Sequence, residues 1–305
     1  MTNPRSIGLR GHLVFRRLPV ELVHIILQCA ATEFVDTNDL ASATELLLLS
    51  HDVNKLVIPI VYRTLCITQS NCDSLFALAT GAIAGAGARP LAAVRRVFVT
   101  KELDDLDQAV SVLRACPNIR WMDADWTLLL CLEHACAAIE LGRLALRFQA
   151  LLFVTRLPRT FVHPITHLEG YHFPLASNPP ATEWVPSFVE ALPHLTHVAL
   201  AVTEPGKVGR LMEEDDKADL LDVVRAFLSS QAPRIEHLVI HLSGPCLEME
   251  DYVTNKIGPT LRDPRIHLWL DRRYFKTWPY EERQCAQDAR HGLDVWAQGE
   301  QLWRK

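Results

Sequence analysis

A phrase that recurs through the second two-thirds of the chain restricts its fold more than any other feature. An amphipathic helix runs into a proline, a branched apolar residue follows two positions on, and a short β-like run comes next. The clear copies are "LDQAVSVLRACPNIRWMDA", "WVPSFVEALPHLTHVALAV", "LLDVVRAFLSSQAPRIEHLVIHL" and the shortened "LRDPRIHLWL". Proline has no N–H to continue a helix and crowds its predecessor out of α space, so each copy predicts a helix stop. Ile119, Leu195, Ile235 and Ile266 then stand where they would plug the turn into a core. Alternation marks the strands: Val198, Leu200 and Val202 in one, Leu238, Ile240 and Leu242 in another.

Helix-then-strand units of this size cannot bury their apolar faces alone, so the pattern predicts stacked units with parallel strands on one side. The prolines at 117, 193, 233 and 264 stand 76, 40 and 31 residues apart. The first interval is read as two units, with "HPITHLEGY" at Pro164 between them, and "RPLAAVRRVFV" as the first strand of the series. The class is α/β, an irregular solenoid that loosely resembles leucine-rich-repeat proteins. The "LxxLxLxxN" phrase of that class is absent, and Asn118 does not recur at the equivalent places, so a buried asparagine ladder is not expected. Residues 271–305 leave the pattern and are rich in aromatic and charged side chains. They read as a C-terminal helical cap anchored by Leu293, Trp296 and Trp303, with Leu302 beside the last.

The N-terminal third reads differently. Residues 15–65 predict three short helices. Leu18-Pro19 opens the first, with proline at the first helical position, where its missing N–H has no partner anyway. Leu22, Ile25, Ile26 and Cys29 share one face at i, i+3, i+4, i+7 spacing. "DTND" caps a second helix from Leu40 to about Leu49, and residues 31–38 are expected as loop before it. Ser50 caps a third, which Pro59 stops or bends. So small a bundle has a thin core and leans on something else. The division is a flexible arm over 1–14, a helical module over 15–66 and a repeat region over 67–305.

Several classes of function are disfavoured. The net charge of −5 supplies no basic stripe for nucleic acid or anionic membrane. The most apolar run, "LGRLALRFQALLFV", is broken by Arg143 and Arg147 and is too short to span a bilayer. The apolar start at 18–30 is interrupted by Glu21 and His24, which does not suit a signal peptide. Eight cysteines without CxxC pairs read as reduced thiols of a cytoplasmic or nuclear protein.

Candidate chemistry is sparse. Cys131, His134 and Cys136 form the best local cluster for a metal, but position 136 points away from the other two on a helix and no fourth ligand follows. His163, His167 and His172 fall around a loop, and His237 and His241 share a strand without a neighbouring carboxylate pair; all read as strand-edge or solvated histidines. The glycines of "TGAIAGAGARP" match no phosphate-binding loop, and no GxSxG, HExxH or kinase signature is present. Ser177 and Ser187 have no local activating base. The acidic run "EEDDKAD" lacks the alternating ligands of a calcium loop and reads as a solvated helix start. No catalytic residue, cofactor or metal site is expected.

The helical N-terminus resembles the F-box, the module by which substrate adaptors dock onto a cullin-RING ubiquitin ligase of the SCF type. The residues that carry the resemblance are Leu18-Pro19-Val20-Glu21-Leu22 with Ile25-Ile26, the second-helix ending "LLLLS", and Pro59-x-x-Tyr62-Arg63, which leads toward a first strand. The Cys-Lys-x-Trp segment common in the third helix is replaced by His51-Asp52-Val53-Asn54. The resemblance implies that Leu18, Pro19, Leu22 and Ile26 face a Skp adaptor subunit, helped by Leu48 and Leu49, and through it a cullin. It implies a non-enzymatic adaptor whose repeat region binds a protein target. The alternative is a repeat scaffold for which these helices serve only as a cap.

Overall fold

A computed structural model describes residues 18–37, 39–82, 90–100, 103–133, 139–147, 154–157, 159–171, 180–203, 214–229, 235–243, 247–271, 296 and 300–302. Three helices come first: α1 Val20–Asp36, α2 Leu40–Leu47 and α3 His51–Val61. Then strands and helices alternate: β1 Thr64–Ile67, α4 Cys72–Ala79, β2 Arg96–Val99, α5 Leu106–Arg114, β3 Trp121–Asp123, α6 Trp126–Glu133, β4 Arg143–Arg147 and α7 Arg159–Val162. The series continues with β5 His167–Tyr171, α8 Ala181–Ala191, β6 His197–Thr203, α9 Glu214–Leu228, β7 His237–Ser243, α10 Leu247–Tyr252, α11 Gly258–Leu261, β8 Ile266–Asp271 and β9 Glu300–Gln301. A turn of π-helix over Val253–Ile257 joins α10 to α11.

The strands form one open sheet in chain order, parallel from β1 to β8, with β9 antiparallel at the far edge. The chain is therefore α/β. One sheet face is continuous with the main core: Val97, Met122, Leu144, Leu168, Val198, Leu238 and Ile266 are buried with helix residues such as Val112, Val185 and Phe227. The plug residues Ile119, Leu195, Ile235 and Ile266 are all buried as expected, and Leu141 and Ile165 occupy the same place ahead of β4 and β5.

Each turn repeats one hydrogen-bond pattern. Two consecutive N–H groups converge on a single carbonyl of the preceding unit: Trp121 and Arg120 on Arg95, Arg143 and Gly142 on Arg120, His167 and Thr166 on Gly142, His197 and Thr196 on Thr166, and His237 and Glu236 on Thr196. These bonds lie between 2.8 and 3.2 Å. Side chains add ties between units where the sequence allows: the Asn118 amide donates to the Ala92 carbonyl at 2.8 Å, and Arg265 donates to the carbonyls of Ile235 and Leu228.

Several expectations are corrected. Helix α1 runs through most of the loop expected at 31–38, because Ala31 and Val35 continue its buried stripe. Pro19 is the cap before α1 rather than its first residue; its carbonyl accepts from Leu22 and Val23. Helix α2 stops at Leu47, two residues early. Pro59 lies inside α3 without ending it; the carbonyl it leaves without an N–H belongs to exposed Lys55 in the last turns, where water reaches it. Strand β1 follows Arg63 directly, where the segment from Pro59 was expected to lead into a strand, so "RPLAAVRRVFV" supplies the second strand rather than the first. The interval from Pro117 to Pro193 crosses the sheet more often than two units require, because the "LGRLALRF" stretch forms β4.

An edge strand, β9, was not expected in the closing segment; most of the segment expected as a helical cap lies outside the described residues. Among the described residues of 271–305, Glu300 and Gln301 pair with Leu268 and His267, and the Leu302 N–H donates to the Ile266 carbonyl at 2.9 Å. Gly258 permits this: a Cβ there would stand 3.1 Å from the Leu302 side chain. The arm over 1–14, Leu293 and Trp303 lie outside the described residues.

Candidate functional site

Two surfaces stand out. The first is on the N-terminal helices. Helix α1 is apolar on both sides: Val23, Leu27, Ala31 and Val35 turn inward, while Leu22, Ile25, Ile26 and Cys29 are exposed. Its acidic first turn, with Glu21, suits the positive end of the helix dipole. The outward side chains keep 46% (Leu22), 52% (Ile25) and 43% (Ile26) of their surface in water. Leu48 and Leu49 follow the early end of α2 and are 84% and 63% exposed. Their exposure comes from the turn itself: Ser50 caps α3 by accepting from the Val53 N–H, and Asn54 donates to the Leu47 carbonyl, which pins that turn.

Of the six residues expected at a partner surface, Pro19, Leu22, Ile26, Leu48 and Leu49 are exposed, and Leu18 is half-buried. Pro19, Leu22 and Ile26 fall on one helical stripe, and α1 packs directly on α2. Val20 and Ile25 belong to the same apolar exposure. Ile25 sat on the expected face at i+3 from Leu22 and belonged to the family pattern, but it was not among the residues expected to face the partner.

The second surface is the sheet face turned away from the main core. A row crosses six strands: Arg96, Trp121, Arg143, His167, His197 and His237, each opposite the next in register, and from β3 to β7 each stands two positions after its plug. The Arg96 guanidinium lies 5.2 Å from the Trp121 ring centroid, and Phe98 meets Trp121 edge to face. The imidazoles of His167 and His197 stack at 4.1 Å, and His237 meets His267 of β8 at 3.7 Å. Burial first, then His267 and His197, pushes the His237 imidazole down to about 4. Trp296 lies against His167, His197 and His237.

These histidines change one expectation. His167 heads β5, in keeping with a strand-edge histidine, whereas His241 on β7, expected at a strand edge or in solvent, is buried, 3.9 Å from the Asp271 carboxylate of β8 and stacked on Trp269. The signal for the row was a histidine two places after Ile165, Leu195 and Ile235; the strand register that aligns them is a property of the sheet. His163 is exposed and meets His194 edge to face.

Among the described residues, no group of three or more His, Cys, Asp or Glu side chains is arranged to hold a metal ion. Cys131 is partly buried on α6, while His134, Cys136, His172 and Ser177 lie outside the described residues. The acidic run expected at a helix start leads into α9, which begins at Glu214. No described helix is long and apolar enough to cross a membrane. No protein-family model matches the sequence, and no curated protein matches it.

Proposed function

We propose that the chain is a non-catalytic adaptor of the F-box type: its N-terminal helices dock onto a Skp subunit of a cullin-RING ubiquitin ligase, and its solenoid-like sheet region holds a protein target. The observation that carries this reading is the outward apolar side of α1, with Leu22, Ile25 and Ile26 exposed on a helix whose other side is already packed. Solvating that much apolar surface is unfavourable, and a helical partner laid across it would remove it from water. Leu48 and Leu49 extend the surface onto the following turn. Holding a target beside the ligase-bound E2 would make ubiquitin transfer effectively intramolecular. The strand order and the repeated turn hydrogen bonds support the leucine-rich-repeat-like reading of the sheet.

A second reading is favoured by the packing of α3 against the short 3-10 turn Pro90–Ala93, just ahead of β2. On it, the three helices cap the β1 edge of a scaffold and dock nothing. Co-purification with a Skp subunit decides between the two. The adaptor reading expects the wild type to be retained and a Leu22→Asp, Leu48→Asp double variant to be lost while its thermal unfolding is unchanged. Equal failure of both to bind supports the cap.

A further inference from the structure

The indole of Trp296 stands edge-on to His167 and His197, 5.2 and 5.5 Å between centroids, and tilted against His237 at 6.4 Å. Strand β9 begins four residues later, at Glu300. Ala199 and Val239 on this face are fully buried, with Trp296 and Trp269 packed against them. We propose that the seat of Trp296 on the imidazole row is an acid-released latch: the indole stays on the rings while they are neutral and lets go when two or more of them take up protons.

Neutral rings tolerate centroid separations of 4.1 and 3.7 Å. Two imidazolium cations that close, on a half-buried surface, repel strongly. Among the described residues, the charged and titratable groups on this face around the row are Arg96 of β2; Asp123 of β3, two residues beyond Trp121; Arg143 of β4, opposite His167; Glu169 of β5, two residues beyond it; His197 of β6; His237 of β7; and His267 of β8. His241 and Asp271 face each other farther along β7 and β8. Within the row each ring has another imidazole beside it. A second proton must go to a ring already beside a cation. His237, held down to about 4, would return toward the ordinary 6.5 once released. The released state therefore binds more protons: the latch is closed above about 6.5 and opens as the pH falls from there toward 4. Coupling between the rings makes the transition one of the row rather than of a single residue.

The test uses the full chain carrying 5-fluorotryptophan, with the Trp296 signal assigned from Trp296→Phe. Fluorine NMR is followed from about pH 7.5 to about pH 4.5, spanning the imidazole range, with far-UV circular dichroism in parallel. The Trp296 signal is expected to move to a solvent-exposed position while the dichroism holds. In His237→Gln and in His197→Gln the midpoint should fall by roughly half a unit or more, because a charge neighbour is gone. The proposal is overturned if the signal stays in place, if it moves only together with loss of dichroism, or if its midpoint is the same in the variants. Should one variant fail to fold, the other and the wild-type titration decide.

Discussion

The imidazoles of His167 and His197 stack 4.1 Å apart, 17° from parallel, and each is held from behind by the hydroxyl of the preceding threonine. The Thr166 hydroxyl also reaches the Gly142 carbonyl, and that of Thr196 the Thr166 carbonyl. A hydroxyl has one hydrogen, so where it goes to the carbonyl its oxygen accepts from Nδ1–H of the histidine, and where it goes to Nδ1 the carbonyl keeps its two N–H donors. The same Thr-His pair therefore couples the tie between strands to the tautomer of the ring.

Thr196→Val keeps the shape of the side chain and removes both bonds. The variant is expected to lose about 1 kcal/mol of stability, the usual net worth of such a bond. Long-range nitrogen-15 NMR of the imidazoles should show a shifted His197 tautomer balance, while His167 is unchanged. An unaltered His197 tautomer would mean that the ring is set by its stacking alone.

Between α8 and α9, Trp184, Phe188 and Phe227 meet edge to face in the core with centroids 5.8 to 6.2 Å apart. Phe227 is fully buried. Phe227→Ala removes two aromatic contacts and leaves a cavity, at a cost of about 3–5 kcal/mol. Urea denaturation checks this; a loss under about 1 kcal/mol would mean that the two helices collapse onto the gap.

How far the sequence was legible follows from how local each signal is. A proline acts on its own neighbours, so Ile119, Leu195, Ile235 and Ile266 could be placed in the core from sequence alone, and all are buried. Strand β4 escaped because Leu141-Gly142 makes its turn without a proline two places before the plug. From Trp121 to His237 the row was written two places after a plug, but it becomes one surface only through the register of six strands. Leu48 and Leu49 were marked by family pattern; their exposure depends on α2 stopping at Leu47, which the Leu-rich run itself does not signal.

Arg265 links the last units of the sheet, and its partner Asp263 makes that link depend on pH. The guanidinium donates to the Ile235 and Leu228 carbonyls at 3.0 and 3.1 Å and is held from the other side by Asp263, 2.6 Å from Nη2. Those bonds to Arg265 hold the Asp263 carboxyl below its ordinary 3.8, against an opposing desolvation. A carboxyl lowered in the folded state contributes stability that is complete above about 3.8, its unfolded value, and lost as the pH falls through the folded one. Asp263→Asn should therefore cost about 1 kcal/mol at neutral pH, at the low end for a charge-assisted bond because water still reaches the pair. The gap between variant and wild type should narrow below pH 3.8 and close once the wild-type carboxyl is protonated. Urea midpoints for both proteins across that range measure it. A gap that stays constant into acid would assign the loss to packing of the turn, since only the charged form of Asp263 distinguishes the two side chains in its hold on Arg265.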